Sequence, residues 1–225
     1  MILLEKNSSE NSRAYALRVL LYNIIHLELE PGSALSESEM SGILSLSRTP
    51  VREAFIELSQ LGLVEILPQR GSYISKINYE LVEESRFFRL IIERAILRQI
   101  CQGIDAEYVK LLEDSVSQQK IYLESGDRDR FLELDNEFHR LLFQAAGKMW
   151  TYGIVKQQMV HFDRLRSLLT ISTSRDYVLS DHEDILYAIK RQDPEMADLL
   201  ITRHLTRDQA EKPELVRLYP AYFTD

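Results

Sequence analysis

The segment SRTPVREA, which begins at Ser47, constrains the fold of this chain more than any other stretch. Ser47 is a favourable helix cap, and Pro50 is tolerated in a first helical turn because the first amides of a helix have no intrahelical carbonyl partner. We therefore predict a helix that begins near Arg48. Arg48 and Arg52 are four residues apart, so both side chains project from one face of this helix, with Thr49 beside them.

A second helix is predicted just before this segment. It is short and amphipathic, Ser36 can cap it, and it ends near residues 42–45. Two helices joined by a short turn form a helix-turn-helix, in which the start of the second helix meets base edges in the major groove of DNA. Arginine suits that position because its planar fork can bond guanine O6 and N7 together.

A hairpin is predicted after the second helix. Gly62 can end that helix, and the strand-like runs LVEIL and SYIS follow, separated by residues 68–71. Arg70 at the tip of such a wing could enter the minor groove or hold a phosphate, and Gly71 allows the backbone to turn. A capped helix with two arginines is also common as a solvated surface. The order helix, helix, turn, helix and basic hairpin favours a DNA-binding domain.

Residues 13–76 resemble the winged helix-turn-helix domain of the GntR family of bacterial transcription regulators. The resemblance is carried by Pro31, Gly32, Leu35 and Glu37, by SRTPVREA and by LGLVEILPQRGSYIS. It implies that Arg48 and Arg52 contact bases or phosphates, and that Thr49 contacts a phosphate. It also implies that Arg70 and Gly71 form the contact of the wing with a double-stranded DNA operator.

The charge of the chain restricts how DNA could be bound. The net charge is -8, and residues 1–76 contain seven Lys and Arg against nine Asp and Glu. Binding must therefore depend on a local patch of Arg48, Arg52, Arg70 and Lys76, doubled by dimerisation. The single cysteine, Cys101, is expected to be a buried thiol. No apolar run approaches the roughly 18 residues of a membrane span, and no leader pattern follows the N-terminus, so we expect a cytoplasmic protein.

From Ile77 onward, apolar residues recur with periods of three and four, which predicts an all-helical domain. The expected fold is mainly α, with a winged helix-turn-helix domain over residues 1–76 and an all-helical antiparallel bundle over residues 77–225. The tail from Lys212 is predicted to be an irregular strap. Helices are predicted near residues 79–101, 105–124, 127–146, 148–171, 175–190 and 193–210. The first of them is predicted to bury Phe88, Ile91, Ile92, Ala95 and Ile96.

Four polar side chains fall on the apolar stripes of the later helices. They are Asp135, His139, His182 and His204. Burying them without partners would be costly, and a divalent metal would satisfy them together. A set of three nitrogens and one oxygen suits zinc first, with nickel or another first-row ion as alternatives. Any one of these histidines could instead bond a backbone carbonyl. His26 and His161 show no such constellation.

Residues 79–210 resemble the FCD ligand-binding domain of the FadR subfamily of GntR regulators. The resemblance is carried by FRLIIERAI, LDNEFHRLLFQAAG, DHEDILYAI and RHL. It implies that Asp135, His139, His182 and His204 bind a metal, and that the effector is a small organic or sugar acid whose carboxylate meets the metal and an arginine. Arg89 is the first candidate for that arginine, and Arg164 or Arg166 is the second. The alternative for each of them is a salt bridge.

Together these features predict a homodimeric transcription regulator, a repressor relieved by an acid, rather than an enzyme or a membrane protein. A metal-dependent hydrolase is the competing class, because one Asp and three His around an open metal could activate water. A structural dimerisation protein without a ligand is a third class.

Overall fold

A computed structural model of the chain describes residues 1–173 and 175–224. In chain order its helices and strands are α1 Ser12–Ile25, β1 Ala34–Leu35, α2 Glu37–Leu44, α3 Arg48–Gln60, β2 Val64–Leu67, β3 Gly71–Ile74, α4 Tyr79–Ile100, α5 Ala106–Ser125, α6 Arg128–Ala145, α7 Met149–Gln158, α8 Val160–Ser172, α9 Asp176–Lys190, α10 Pro194–Thr206 and α11 Lys212–Leu218. Short 3-10 helices span Arg207–Ala210 and Pro220–Tyr222. The fold is mainly α with one small sheet, as the sequence predicts.

The chain forms two compact units. The first contains Met1–Val82, Val160–Leu168 and the residues from Glu214 onward, and the second contains Glu83–Met159 and Leu169–Pro213. The first unit therefore includes a piece of α8 and the end of the chain, in addition to the winged helix-turn-helix. No sequence pattern pointed to these two later segments, because apolar periodicity reports a helix but not the core into which it packs. In the described residues no helix has the length and apolar character needed to span a membrane.

The helix-turn-helix is made by α2 and α3. The Ser36 side chain caps α2 by accepting a hydrogen bond from the Glu39 backbone N–H at 3.3 Å. Ser45 then takes a left-handed conformation, with φ 53°, and ends α2. Ser47 occupies the cap position of α3, as predicted, although its hydroxyl makes no side-chain capping bond. The buried face of α3 joins the core of the first unit through Val51, Ala54, Phe55 and Leu58.

The wing is an antiparallel hairpin of β2 and β3. Its register pairs Val64 with Ile74 and Leu67 with Gly71. At its tip Gln69 has φ 62° and Gly71 has φ 101°, and Gly71 provides the backbone freedom that the sequence suggested. The short strand β1 adds to the free edge of β3, which gives the order β1-β3-β2. Two residues are too few to leave a periodic signal, so the sequence did not reveal β1.

The elements after β3 are helices, but two predictions about them were wrong. The helix expected over residues 148–171 is two helices, α7 and α8, separated at Met159, whose N–H bonds the Lys156 carbonyl. No Gly or Pro lies at this break, so no sequence signal predicted it. The tail expected to be irregular contains α11, whose Leu215 is fully buried.

The expected buried stripe of α4 is only partly present: Ile96 is buried and Phe88 and Ile92 are half-buried, but the other two members are exposed. Ile91 is 49% exposed and Ala95 is exposed, whereas Arg86, Arg89 and Glu93 are buried. Hydrophobic periodicity places apolar residues inside, but here a network of charged side chains occupies the inner face of α4. Apolar side chains consequently lie on the opposite, outer face.

Candidate nucleic-acid interface and candidate metal centre

The first turn of α3 presents the residues predicted to meet DNA. Arg48, Thr49 and Arg52 are all exposed. Arg48 Nη2 donates to Ser38 Oγ at 3.2 Å, so α2 orients the guanidinium through a neutral hydroxyl. Because the Ser38 hydroxyl is uncharged, it does not neutralise the guanidinium of Arg48, which remains available to bind an anion.

A groove of about 470 Å³ joins this turn to the wing. It is lined by Ala34, Leu35, Ser36, Glu37, Ser38, Glu39, Arg48, Arg70, Gly71, Ser72 and Tyr73. The structure thus brings Arg48 and Arg70 to the same groove, although they are far apart in sequence. Glu37 and Glu39 line it as well. These carboxylates repel phosphate, so the groove favours an anion only beside the two arginines.

The candidate metal centre lies in the second unit, where α6, α9 and α10 meet. Asp135 and His139 come from α6, His182 from α9 and His204 from α10, and one nitrogen or oxygen of each lies within 4.8 Å of those of the other three. His139 Nε2 is 3.2 Å from His204 Nε2, and His182 Nε2 is 3.4 Å from Asp135 Oδ1. The structure therefore brings together all four residues that the sequence singled out.

These separations fit a bound metal. Nitrogen and oxygen ligands at about 2.0–2.2 Å from a tetrahedral zinc are roughly 3.4 Å apart. A neutral imidazole carries one N–H, so the tautomer of each ring decides whether its Nε2 presents a lone pair. That tautomer is set by the partner of Nδ1.

Each histidine has a partner for Nδ1 on the side away from the cluster. His139 Nδ1 is 2.7 Å from Glu93 Oε2, and His182 Nδ1 is 2.7 Å from Gln119 Oε1. His204 Nδ1 is 3.5 Å from Asp181 Oδ2. The partners of His139 and His182 are oxygen acceptors at hydrogen-bond distance, so the protons of these two rings belong on Nδ1. The contact of His204 is longer than a hydrogen bond, but the carboxylate of Asp181 favours the proton of that ring on Nδ1 as well. The three Nε2 lone pairs then face one another, an arrangement that a cation between them stabilises.

The orientation of Gln119 supports this assignment. Its Nε2 donates to Ser115 Oγ at 3.3 Å and to the Leu134 carbonyl at 3.4 Å. These bonds turn the amide oxygen toward His182, so His182 Nδ1 must donate. The His182 ring also stacks on Phe138, with ring centroids 4.1 Å apart and an interplanar angle of 14°.

The protonation states suit metal binding. Burial lowers the pKa of His204 to about 3, and burial and the charge of Arg89 lower the pKa of His139. Both rings are therefore neutral at pH 7, which is the form that binds metals. Burial raises the pKa of the Glu93 carboxyl, but Arg89 and His139 outweigh that effect and lower it below its ordinary value. Burial likewise raises the pKa of Asp181, but the neighbouring His204, Arg203 and Arg207 outweigh that effect and lower the pKa below its ordinary value.

Sequence reasoning missed Glu93, Gln119 and Asp181. Asp181 directly precedes His182, and Glu93 follows Arg89 by four residues. Both spacings were visible, but only the packing of α4, α5 and α9 around α6 and α10 shows which histidine each residue contacts.

The three candidate effector arginines lie in different surroundings. Arg89 Nε donates to Glu93 Oε1 at 2.5 Å, within the second unit. Arg164 is fully buried in the first unit, where it donates to the Ser75 carbonyl at 2.7 Å and to Ser75 Oγ at 3.3 Å. Burial lowers the pKa of Arg164 to about 10. Arg166, also in the first unit, donates to Asp163 Oδ1 at 2.8 Å.

Comparisons with known proteins match both parts of the chain. Residues 16–74 match the family described as bacterial regulatory proteins, gntR family, and residues 84–207 match the FCD domain. The HTH-type transcriptional repressor RspR of Escherichia coli (strain K12) is 37% identical over 189 residues, which cover 84% of this chain and 83% of RspR.

A second relative is an HTH-type transcriptional regulator from an unstable DNA locus of Streptomyces ambofaciens. It is 32% identical over 219 residues, which cover 94% of this chain and 92% of the relative. Among solved structures, E. coli McbR/YncC has the same fold, with a TM-score of 0.75 at 16% identity. That match covers 93% of this chain and 99% of McbR/YncC.

Proposed function

The chain belongs to the GntR family of bacterial transcription regulators and carries an FCD domain, and from this premise we propose that it is a metal-dependent, acid-responsive repressor. The family consists of DNA-binding regulators rather than enzymes, which removes the hydrolase alternative. Repression is supported by the relative RspR, whose name describes a repressor. Such a protein acts on the chromosome, so we place it in the cytoplasm.

DNA recognition is assigned to the exposed start of α3 and to the wing. Arg48 and Arg52 would meet base edges or phosphates, and Thr49 a phosphate. Arg70 and Gly71 would form the contact of the wing. The groove that Arg48 and Arg70 share supports this assignment.

Metal binding is assigned to Asp135, His139, His182 and His204. The observation that carries this proposal is the convergence of the four ligand atoms within 4.8 Å, on neutral rings whose Nδ1 atoms face acceptors. Three nitrogens and one oxygen favour zinc, with nickel or another first-row ion as alternatives. When bound, the metal would supply a Lewis-acidic centre to which a carboxylate can bind.

The effector is proposed to be a small organic or sugar acid. A carboxylate at the metal is favoured by the charge of the site. Two of the Nδ1 partners are anionic and are balanced by arginines, so a divalent metal bound by Asp135 and three neutral imidazoles would keep one net positive charge for the acid. Arg89 is the preferred partner for the acid, because Glu93 connects it to His139. Arg164 and Arg166 lie in the first unit and are the weaker candidates.

The protein is proposed to act as a homodimer. The outer face of α4 carries an apolar stripe formed by Phe87, Phe88, Ile91 and Ala95, and Phe87 is 63% exposed. A second copy of the chain would cover this stripe and present two recognition helices to a pseudo-palindromic operator. To relieve repression, the acid must bind the DNA-competent arrangement less tightly than the other arrangement.

The metal assignment is tested by elemental analysis of the purified full-length protein loaded with zinc. The double variant His139→Ala/His182→Ala should lose stoichiometric metal, because two of four ligands are gone and the remaining pair binds weakly. The variant His26→Ala is the matched control, since His26 stacks on Tyr22 in the first unit and should retain one zinc per chain. Stoichiometric zinc in the double variant would place the metal elsewhere.

A further inference from the structure

One buried carboxylate connects a metal ligand to the proposed effector arginine. Glu93 Oε1 accepts from Arg89 Nε at 2.5 Å, and Glu93 Oε2 lies 2.7 Å from His139 Nδ1. Arg89, Glu93 and the His139 side chain are 4%, 1% and 3% exposed. Arg89 and Glu93 are one turn apart on α4, whereas His139 lies on α6. The two oxygens of Glu93 are thus divided between two different partners.

We propose that Glu93 and Arg89 are positioning residues of the metal centre, and that they couple its metal affinity to the state of Arg89. Glu93 holds the His139 proton on Nδ1 and so directs the Nε2 lone pair toward the metal. Arg89 holds Glu93 in the orientation in which it does so. The inference rests on the proposed metal site and adds a regulatory link to it.

The physical reason is the cost of burying a carboxylate. An ionised Glu93 without a cation would be strongly disfavoured in this interior, and Arg89 provides the compensating charge and a charge-assisted hydrogen bond. An anionic acceptor on Nδ1 makes the opposite nitrogen of the ring a stronger metal ligand. If Arg89 were lost, Glu93 would be free to reorient, and His139 would lose its fixed partner.

The other two histidines are held differently. Gln119 is neutral, and its orientation is set by Ser115 and the Leu134 carbonyl. Asp181 accepts from Arg203 and Arg207, whose side chains are partly exposed to solvent. Glu93 is therefore the partner whose counter-ion is a buried arginine beside the proposed effector site.

This connection has a consequence for regulation. A carboxylic acid that pairs with Arg89 competes with Glu93 for the same guanidinium. It therefore alters the affinity of the metal through His139, and the metal must alter the affinity of the acid by the same factor.

The test uses zinc alone and the full-length protein. Dissociation constants are measured by chelator competition for the wild type, Arg89→Met, Glu93→Gln and the double variant. Each single change should weaken zinc binding by about 10- to 100-fold, the usual effect of losing an outer partner of a ligand. The double variant should be no weaker than the weaker single variant, because both residues act through one contact. Arg89→Lys should recover part of the loss.

Arg94→Met is the matched control. Arg94 lies on the same helix and pairs with Asp198 at 2.6 Å, so the variant also loses an ion pair of α4, a more exposed one, without touching the cluster. It should bind zinc like the wild type. The proposal is overturned if Arg89→Met also binds zinc like the wild type, or if the losses in the double variant multiply.

A second measurement separates this inference from the metal assignment. Nitrogen-15 spectra of the metal-free protein report the tautomer of His139 directly. The wild type should hold the proton on Nδ1, and the double variant should show a mixture of tautomers. If the wild-type protein binds no zinc, but the His139 tautomer still differs between the wild type and the double variant, the metal assignment is refuted and the positioning role is supported. An unchanged tautomer refutes the positioning role.

Discussion

At the scale of single residues, the second unit places ionisable groups in its interior and keeps the imidazoles neutral. Burial lowers the pKa of His204 to about 3 and also lowers the pKa values of His139 and His161. His161 lies in the first unit, where its Nε2 is 2.9 Å from the Leu61 carbonyl. Protonating any of these rings would place a cation in the protein interior.

The stability of the metal-free protein should therefore fall as the pH is lowered from 7 to 5. The folded-state pKa of His204 lies below its unfolded value near 6.5, so its contribution is complete above pH 6.5 and is lost as the pH falls toward 3. Between pH 7 and pH 5 the loss from His204 is about 2 kcal/mol. Urea unfolding of chelator-treated protein at the two pH values measures it.

The variant His204→Gln is the control for this prediction, because glutamine cannot take up the proton. Its free energy of unfolding should depend less on pH than that of the wild type over the same interval. Equal pH dependence of the two proteins would show that His204 does not titrate in this way.

At the scale of elements, α4 shows how one helix serves two surfaces. Its inner face carries Arg86, which bonds Asp208 at 3.1 Å, together with Arg89 and Glu93. Its outer face carries the apolar stripe of Phe87, Phe88, Ile91 and Ala95. A stripe of this kind left in water is unfavourable, which is why we assign it to the interface of the proposed dimer.

Charging this stripe should therefore dissociate the dimer. In the variant Phe87→Glu/Ile91→Glu, four carboxylates would face one another across the interface, and the protein should sediment as a folded monomer. Trp150→Glu is the control, because Trp150 is 81% exposed on α7 and lies outside the stripe. Retention of the dimer by the α4 variant, or its loss in the Trp150 variant, would place the interface elsewhere.

At the scale of the whole molecule, the negative net charge distinguishes this protein from regulators whose overall positive charge attracts DNA. Its net charge is -8, and two glutamates line the groove that Arg48 and Arg70 share. The long-range field therefore repels DNA, and attraction depends on a few local cations. This arrangement favours sequence-specific DNA binding over non-specific DNA binding.

The salt dependence of operator binding should consequently be moderate. If Arg48, Arg52, Arg70 and Lys76 of both protomers each neutralise one phosphate, the slope of log K against log salt is about -7. Arg70→Ala should reduce its magnitude by about 2, one phosphate for each protomer. Arg217→Ala is the matched control, because Arg217 pairs with Glu214 on α11, and it should leave the slope unchanged. A slope much steeper than -7 would contradict the local-patch account.

Local chemistry made much of this fold predictable. The cap at Ser36, the periodicity of α2 and α3 and the turn around Gly71 depend on residues close together in sequence, and all three are present in the structure. The break at Met159 carries no Gly or Pro signal, and the two prolines of the tail, Pro213 and Pro220, favoured an irregular segment where the structure has α11. The four candidate ligands could be identified from the sequence because burying a polar side chain costs free energy. Polar residues on an apolar stripe therefore indicate a bonding partner in the interior.

The sequence by itself determined most of the helices, the hairpin, the exposed arginines and the four inward-facing candidate ligands, because short-range propensity and the cost of burying polar groups act residue by residue. Only the tertiary structure decided that Glu93, Gln119 and Asp181 face the three histidines, that Arg48 and Arg70 share a groove, and that α4 turns its charged side inward. These outcomes depend on contacts between distant elements. A buried charge is favourable only when its counter-charge from another turn or another helix is within reach, and no periodic pattern in the sequence records that distance.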